Sequence, residues 1–225
     1  MKFSLLVPRK ADHGIRDHHW SLVKKRYQKL MPKVEICTGY DNSKLFCRSK
    51  AVNRAAKKAT GNILIIVDAD VIFEPELLEK IAAVIDLHPW IIPYKNGIFL
   101  TKEATNRFIK KGLPAKVKIK GEDIERSYLG KGQLINVMKR ECFEAVQGLD
   151  ERFNGWGLED FAFRVSLDTI CGKHFNMDQN VYHLWHPRAK RNHINASKNK
   201  NLYLRYLEAE DDVIKMNKLI SERIK

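Results

Sequence analysis

Apolar residues in this chain fall into two alternating patterns. Short unbroken runs at residues 3–7, 34–37 and 63–67 read as strands. Between them, Ile15, Leu22, Val23, Tyr27, Leu30 and Met31 recur at helical spacing, and Pro32 closes that segment. A second helix is predicted over residues 46–59, with Gly61 placed to end it. The run Ile63-Leu64-Ile65-Ile66-Val67 carries no polar alternation, as expected of a central strand covered on both faces. Strands alternating with helices in this way predict an α/β fold built of βαβ units.

Pro75 stands where a first helical turn begins, and residues 76–87 carry the apolar face of a third helix. After Trp90-Ile91-Ile92-Pro93 the periodicity fades. Residues 101–131, rich in Lys and Gly, read as a long flexible loop. Regularity returns with a strand over 133–138, a short helix over 140–147 stopped by Gly148, a helix starting near Leu158, and one C-terminal amphipathic helix over 201–224. Leu202, Tyr206, Val213 and Ile214 lie on its apolar face, which either packs on the domain or forms a homodimer.

Composition sharpens this picture. With 225 residues and 44% apolar content the chain suffices for one full-sized core. Its longest apolar runs, 63–67 and 81–85, fall far short of the roughly 20 residues of a membrane-spanning helix. The start of the chain is too briefly apolar for a signal peptide. Cys37, Cys47, Cys142 and Cys171 form no C-x-x-C pair, so a reducing cytoplasm fits best. The net charge is +14, and residues 1–60 supply most of it, with 15 Lys and Arg against 4 Asp and Glu. Such an excess suits an anionic partner: a phosphorylated donor, nucleic acid, an acidic polymer or an anionic membrane face.

Three stretches carry candidate chemistry. Asp68-Ala69-Asp70 follows the central strand directly, which in an open α/β sheet places both carboxylates at the ligand-binding edge. They are either ligands for Mg²⁺ or Mn²⁺ or caps of the helix near Pro75. His183 and His186, three residues apart around Trp185, are a second candidate for the metal shell. Gly155-Trp156-Gly157-Leu158-Glu159-Asp160 combines a glycine-flanked aromatic with adjacent carboxylates. The ring offers a flat face for a sugar, and the helix N-terminus favours an ionised carboxylate suited to act as a base. The alternative is a helix cap beside a core Trp.

Taken together these motifs resemble the GT-A glycosyltransferases of the β-1,4-galactosyltransferase, chondroitin-polymerase and polypeptide N-acetylgalactosaminyltransferase group. The likeness is carried by Pro8-Arg9, by Phe46-Cys47-Arg48-Ser49-Lys50-Ala51-Val52-Asn53, by Asp68-Ala69-Asp70, and by Gly148-Leu149-Asp150-Glu151-Arg152-Phe153 running into the Gly155 to Asp160 motif, in that order. It implies a GT-A (Rossmann-like) single domain with a mostly parallel central sheet: a nucleotide-sugar-binding half over 1–100, the loop over 101–131, an acceptor and metal half over 132–198, and the C-terminal helix over 199–225.

The resemblance also implies roles. Pro8, Arg9 and Arg48 contact the nucleotide of a UDP-sugar, and Asp68 sits by its ribose. Asp70 and His186 hold Mn²⁺ or Mg²⁺, with His183 as third ligand or support. Asp160 deprotonates the acceptor hydroxyl, Glu159 binds or orients the acceptor, and Trp156 lies between donor phosphate and acceptor. Lys131 and Gly132, in the turn that opens with Gly130, lie beside the donor sugar. Transfer by a single base implies inversion at the anomeric carbon. Phe161-Ala162 departs from the acidic residues of the galactosyltransferases and leaves the acceptor open.

Two rivals remain in view. A sugar nucleotidyltransferase requires a glycine-rich phosphate loop after the first strand, where this chain has Pro8-Arg9-Lys10. A nucleic-acid-binding protein draws on Arg188-Ala189-Lys190-Arg191 with Lys198 and Lys200. That basic stretch also fits a transferase acting on a polyanionic acceptor, modified DNA or a cell-wall polymer.

Overall fold

β1 (Phe3–Arg9), β2 (Glu35–Tyr40) and β3 (Ile63–Val67) are parallel neighbours, with Leu5 opposite both Ile36 and Ile65. The crossovers between them are α1 (Ile15–Leu30) and α2 (Arg48–Ala56). This computed structural model describes every residue except 133, 156, 188–192 and 225, together with the side chains of all described residues but His193 and Ile224. All five residues of β3 are at most 2% exposed, as its unbroken apolar run predicts. α2 lies directly against β2 because Gly39 has no side chain there: a Cβ would meet the Ala51 carbonyl oxygen at 1.9 Å.

Beyond β3 come β4 (Val71–Ile72), α3 (Glu76–Val84), β5 (Trp90–Ile92), β6 (Asn96–Leu100), α4 (Lys102–Lys111), β7 (Ile124–Leu129), β8 (Ile135–Lys139), α5 (Arg140–Ala145), α6 (Glu159–Ile170), β9 (Phe175–Asn176), β10 (Asn180–His183), α7 (Ala196–Glu208) and α8 (Val213–Ser221). The larger sheet has the order β2-β1-β3-β8-β5-β9. Its pairs β1·β2, β1·β3 and β5·β9 are parallel, while β8 runs antiparallel to β3 and β5. A smaller sheet, β4-β10-β6-β7, stands beside the carboxyl end of β3.

Two expectations are corrected. Residues 101–131 are not one loop, since they contain α4 and β7. Thr101 caps α4 by accepting from the Ala104 N–H at 3.2 Å, and Gly112, at φ +79°, closes it. The lysines on its exposed face dilute the apolar period. β7 is mostly exposed and is held by antiparallel pairing with β6, Tyr128 opposite Gly97, so no buried alternation marks it in the sequence. The C-terminal segment is likewise two helices. Asp211 takes φ +60°, and the Asp212 side chain accepts from the Lys215 N–H to start α8.

These C-terminal helices pack on the domain. Tyr206 is fully buried and donates to Asp150 Oδ2 at 2.7 Å, and Arg223 donates to the carbonyls of Val146 and Gly148 at 2.8 and 3.0 Å. They thereby fix the segment that leads into the Gly155 motif. Among the described residues no helix is long and apolar enough to cross a membrane.

Candidate active site

The chain turns sharply after β3, with the Val71 N–H bonded to the Asp68 carbonyl at 3.1 Å, and enters β4. β4 pairs antiparallel with β10, which sets Val71 opposite His183, and the Leu184 N–H donates to the Asp70 carbonyl at 2.9 Å. The pairing brings both histidines onto Asp70. His183 Nε2 lies 3.3 Å from Asp70 Oδ1, and His186 Nε2 lies 3.3 Å from Oδ2. One ligand atom from each of the three residues falls within 4.8 Å of the others, the one such group found among the described residues.

Neighbouring elements hold this geometry. The His183 ring stacks on Phe99 of β6 with centroids 4.4 Å apart. The Trp185 N–H donates to Thr105 Oγ1 of α4 at 2.8 Å, and Lys102 of the same helix lies 5.4 Å from the Trp185 ring centre. Asp70 is 1% exposed. Burial opposes its ionisation, but His183, Arg16 and His186 outweigh that and bring its pKa down to about 2. Burial pushes the His183 imidazole below its ordinary value in spite of Asp70. Asp70 Oδ1 and His183 Nδ1 are buried and make no hydrogen bond. A carboxylate, two imidazoles and buried polar atoms without a hydrogen bond fit a divalent cation.

The second cluster forms at the start of α6. Gly155 and Gly157 take φ of +81° and +109°, values that a side chain disfavours, and Leu158 follows at +75°. This turn delivers Glu159 and Asp160 to the same sheet edge. Arg48, at the start of α2, donates to Asp160 Oδ1 at 2.5 Å and to Asp68 Oδ1 at 3.0 Å. Burial, resisted by Arg48 and reinforced by Glu159 and Asp68, raises the Asp160 pKa well above the usual carboxylate range. Glu159 is raised as well, chiefly by burial, and its Oε2 is buried without a partner. The expected bias of the helix N-terminus toward an ionised carboxylate is therefore overridden by desolvation and by the crowding of three acids.

Neither cluster merely caps a helix. Pro75 at the start of α3 and Leu158 at the start of α6 receive no side-chain cap. Asp68 and Asp70 are turned instead toward Arg48 and Arg16.

Pro8 and Arg9 end β1 beside this edge, opposite Gly39 and Tyr40. Arg9 is nearly buried, ion-paired with Asp17 and lies 5.7 and 5.8 Å from the ring centres of Trp20 and Tyr40. Burial lowers its pKa. Gly132 precedes β8, which pairs with β3, and its carbonyl accepts from Asn136 Nδ2 at 2.6 Å, while Lys131 beside it is exposed. Trp156 and the basic run Arg188 to Arg191 lie outside the described residues. A cavity of about 460 Å³ adjoins the histidines, lined by Phe99, Arg126 and Trp185 among others. Arg126 stands over the rings of Phe99 and Tyr128 at 4.4 and 5.5 Å.

Sequence reasoning passed over Arg16, His19 and Arg126. Arg16 and His19 share a face of α1 and were legible only as helical spacing. Arg126 belongs to the strand that showed no apolar pattern.

Comparison with known proteins bears on the fold and the class of the chain. Residues 12–110 match the family model Glycosyl transferase family 2, and residues 115–187 match the one described as the N-terminal domain of galactosyltransferase. The catalytic domain of Drosophila beta1,4-galactosyltransferase 7, in complex with xylobiose, is 17% identical over 91% of this chain and 80% of its own, at a TM-score of 0.51. S. aureus TarS in complex with UDP-GlcNAc is 13% identical over 100% of this chain and 72% of its own, at 0.57. Glucosyl-3-phosphoglycerate synthase from Mycobacterium tuberculosis, in complex with Mn²⁺, UDP-glucose and phosphoglyceric acid, is 12% identical over 93% and 79%, at 0.50. No curated protein sequence matches the chain. The fold is GT-A, with a mixed α/β core and a sheet flanked by helices. With both family models describing glycosyltransferase domains, the chain is a glycosyltransferase of that fold.

Proposed function

We propose that this chain transfers a sugar from a UDP-sugar to an acceptor hydroxyl, with inversion, and that Mn²⁺ bound by Asp70, His183 and His186 serves the reaction. The observation that carries this reading is the convergence of those three ligand atoms within 4.8 Å at the end of β3, beside the half-buried pair Arg48 and Asp160. The donor and the metal follow the neighbours of like fold, TarS with UDP-GlcNAc and the mycobacterial synthase with UDP-glucose and Mn²⁺. A bound divalent ion supplies positive charge against the departing diphosphate.

Asp160 takes the proton of the acceptor hydroxyl as its oxygen attacks the anomeric carbon and the bond from that carbon to the UDP oxygen breaks. A single base and direct attack invert the configuration. Pro8 and Arg9 line the nucleotide side, Asp68 lies toward the ribose, and Lys131 and Gly132 lie toward the donor sugar. Arg48, assigned to the nucleotide on sequence grounds, takes on a second role here as the clamp between Asp68 and Asp160. Glu159 orients the acceptor. The acceptor enters over Phe99, Arg126 and Trp185, and the cations Arg126 and Lys102 on that side favour an anionic one.

Calorimetric titration of UDP and GDP, with Mn²⁺ and again with EDTA, tests the reading. Tight UDP binding that EDTA abolishes is the expected result. Equal binding in the two conditions removes the metal, and no nucleotide binding at all removes the donor assignment.

A further inference from the structure

Arg16 and His19 stand three residues apart on α1 and so share one helix face. That face meets the candidate metal carboxylate: Arg16 Nη2 is 3.5 Å from Asp70 Oδ2, and His19 lies within electrostatic reach of Asp70, His183 and His186. His19 is fully buried, yet neither of its ring nitrogens has a hydrogen-bond partner. Leaving a polar group buried and unpaired costs about 1–3 kcal/mol, so a histidine here that served only to fill the core would be a poor choice beside Leu or Phe.

Two more buried atoms that make no hydrogen bond, Asp70 Oδ1 and His183 Nδ1, belong to the candidate metal site. Such a gathering of unpaired polar atoms marks a place where an ion and its water belong. The two ring nitrogens of an imidazole can serve as one donor and one acceptor to that shell. His19 is not among the three residues whose ligand atoms lie within 4.8 Å of one another, so its place is outside the direct ligands.

We propose that His19 is a positioning residue of the metal centre, engaging the bound ion's water so that affinity for the divalent cation depends on a residue outside the set Asp70, His183 and His186. This rests on the metal assignment proposed above. Outer-shell partners of this kind typically change metal affinity by roughly 10- to 100-fold when removed.

The test is calorimetric titration of Mn²⁺ into the wild type, His19→Phe and His19→Gln, with thermal melting of each in EDTA. His19→Phe is expected to melt at or above the wild-type temperature without metal, because two unpaired nitrogens are gone, and to bind Mn²⁺ about 10-fold more weakly or worse. His19→Gln, which keeps a donor and an acceptor, is expected to recover part of that loss. Should His19→Phe fail to fold, His19→Leu is judged on the same two readouts. Wild-type Mn²⁺ affinity in a folded apolar variant overturns the role of His19 and leaves the metal assignment standing. Absence of Mn²⁺ binding by the wild type overturns the metal assignment, and this inference with it.

Discussion

Arg48 at the start of α2 and Asp160 at the start of α6 form a half-buried ion pair across 112 positions of sequence, and the same guanidinium also holds Asp68. The edge that receives β3 is thereby closed by charge as well as by packing. Burial works against the Arg48 cation, but Asp160, Asp68 and Glu159 together raise its pKa above the ordinary value. The candidate base is thus held where its ionisation is sensitive to one neighbour.

Asp160→Asn is predicted to lower the transfer rate by at least about 100-fold while leaving Mn²⁺ and UDP binding near wild type. Single-turnover rates and calorimetry on the same sample check it. Transfer within a few-fold of wild type would remove Asp160 from the role of base.

The pH profile follows from the sign of the shift. Asp160 acts as a base only when ionised, so the acid limb of kcat/KM is expected above the ordinary Asp value of about 4. Arg48 is the influence that lowers this pKa, so Arg48→Gln is expected to move the limb to still higher pH. For stability, a carboxyl with a raised folded-state pKa contributes fully below its unfolded value and loses that contribution as pH rises through the folded one. Asp160→Asn should remove this part of the pH dependence. A limb that stays put in Arg48→Gln contradicts the coupling.

Arg48→Gln should also destabilise the fold by about 1–3 kcal/mol near neutral pH, since it leaves half-buried carboxylates without their counter-charge. Denaturant unfolding measures this directly. A loss below about 1 kcal/mol would mean that the cluster takes up protons or water at little cost.

Asp70→Asn is expected to abolish Mn²⁺ binding and to bring UDP affinity down to the value the wild type shows in EDTA. Undiminished metal binding would place the ion elsewhere.

Thr105→Val removes the acceptor for the Trp185 N–H while preserving shape. Thr105 is 1% exposed, so the unpaired N–H is expected to cost about 1–3 kcal/mol in thermal or chemical unfolding. Mn²⁺ affinity should fall with it, because this bond fixes the backbone between His183 and His186. A stability loss with unchanged affinity would show that α4 supports the fold and not the histidines.

What the sequence determined by itself was whatever local patterning encodes. The unbroken run Ile63 to Val67 requires a strand covered on both faces, and whatever follows it must emerge at the sheet edge, as Asp68 and Asp70 do. Gly155 and Gly157 supply positive φ, so the turn that presents Glu159 and Asp160 is likewise written into adjacent residues. α4 and β7 were hidden because their stability comes from a cap, a partner strand and the underlying core, with no apolar period of their own. Only the tertiary structure decided that β10 pairs with β4 and delivers His183 and His186 to Asp70, that Arg48 bridges Asp68 and Asp160, and that Arg16 reaches the same carboxylate as the histidines. These contacts join residues distant in sequence, and burial then sets the charge of the groups they bring together, which no local pattern of residues can specify.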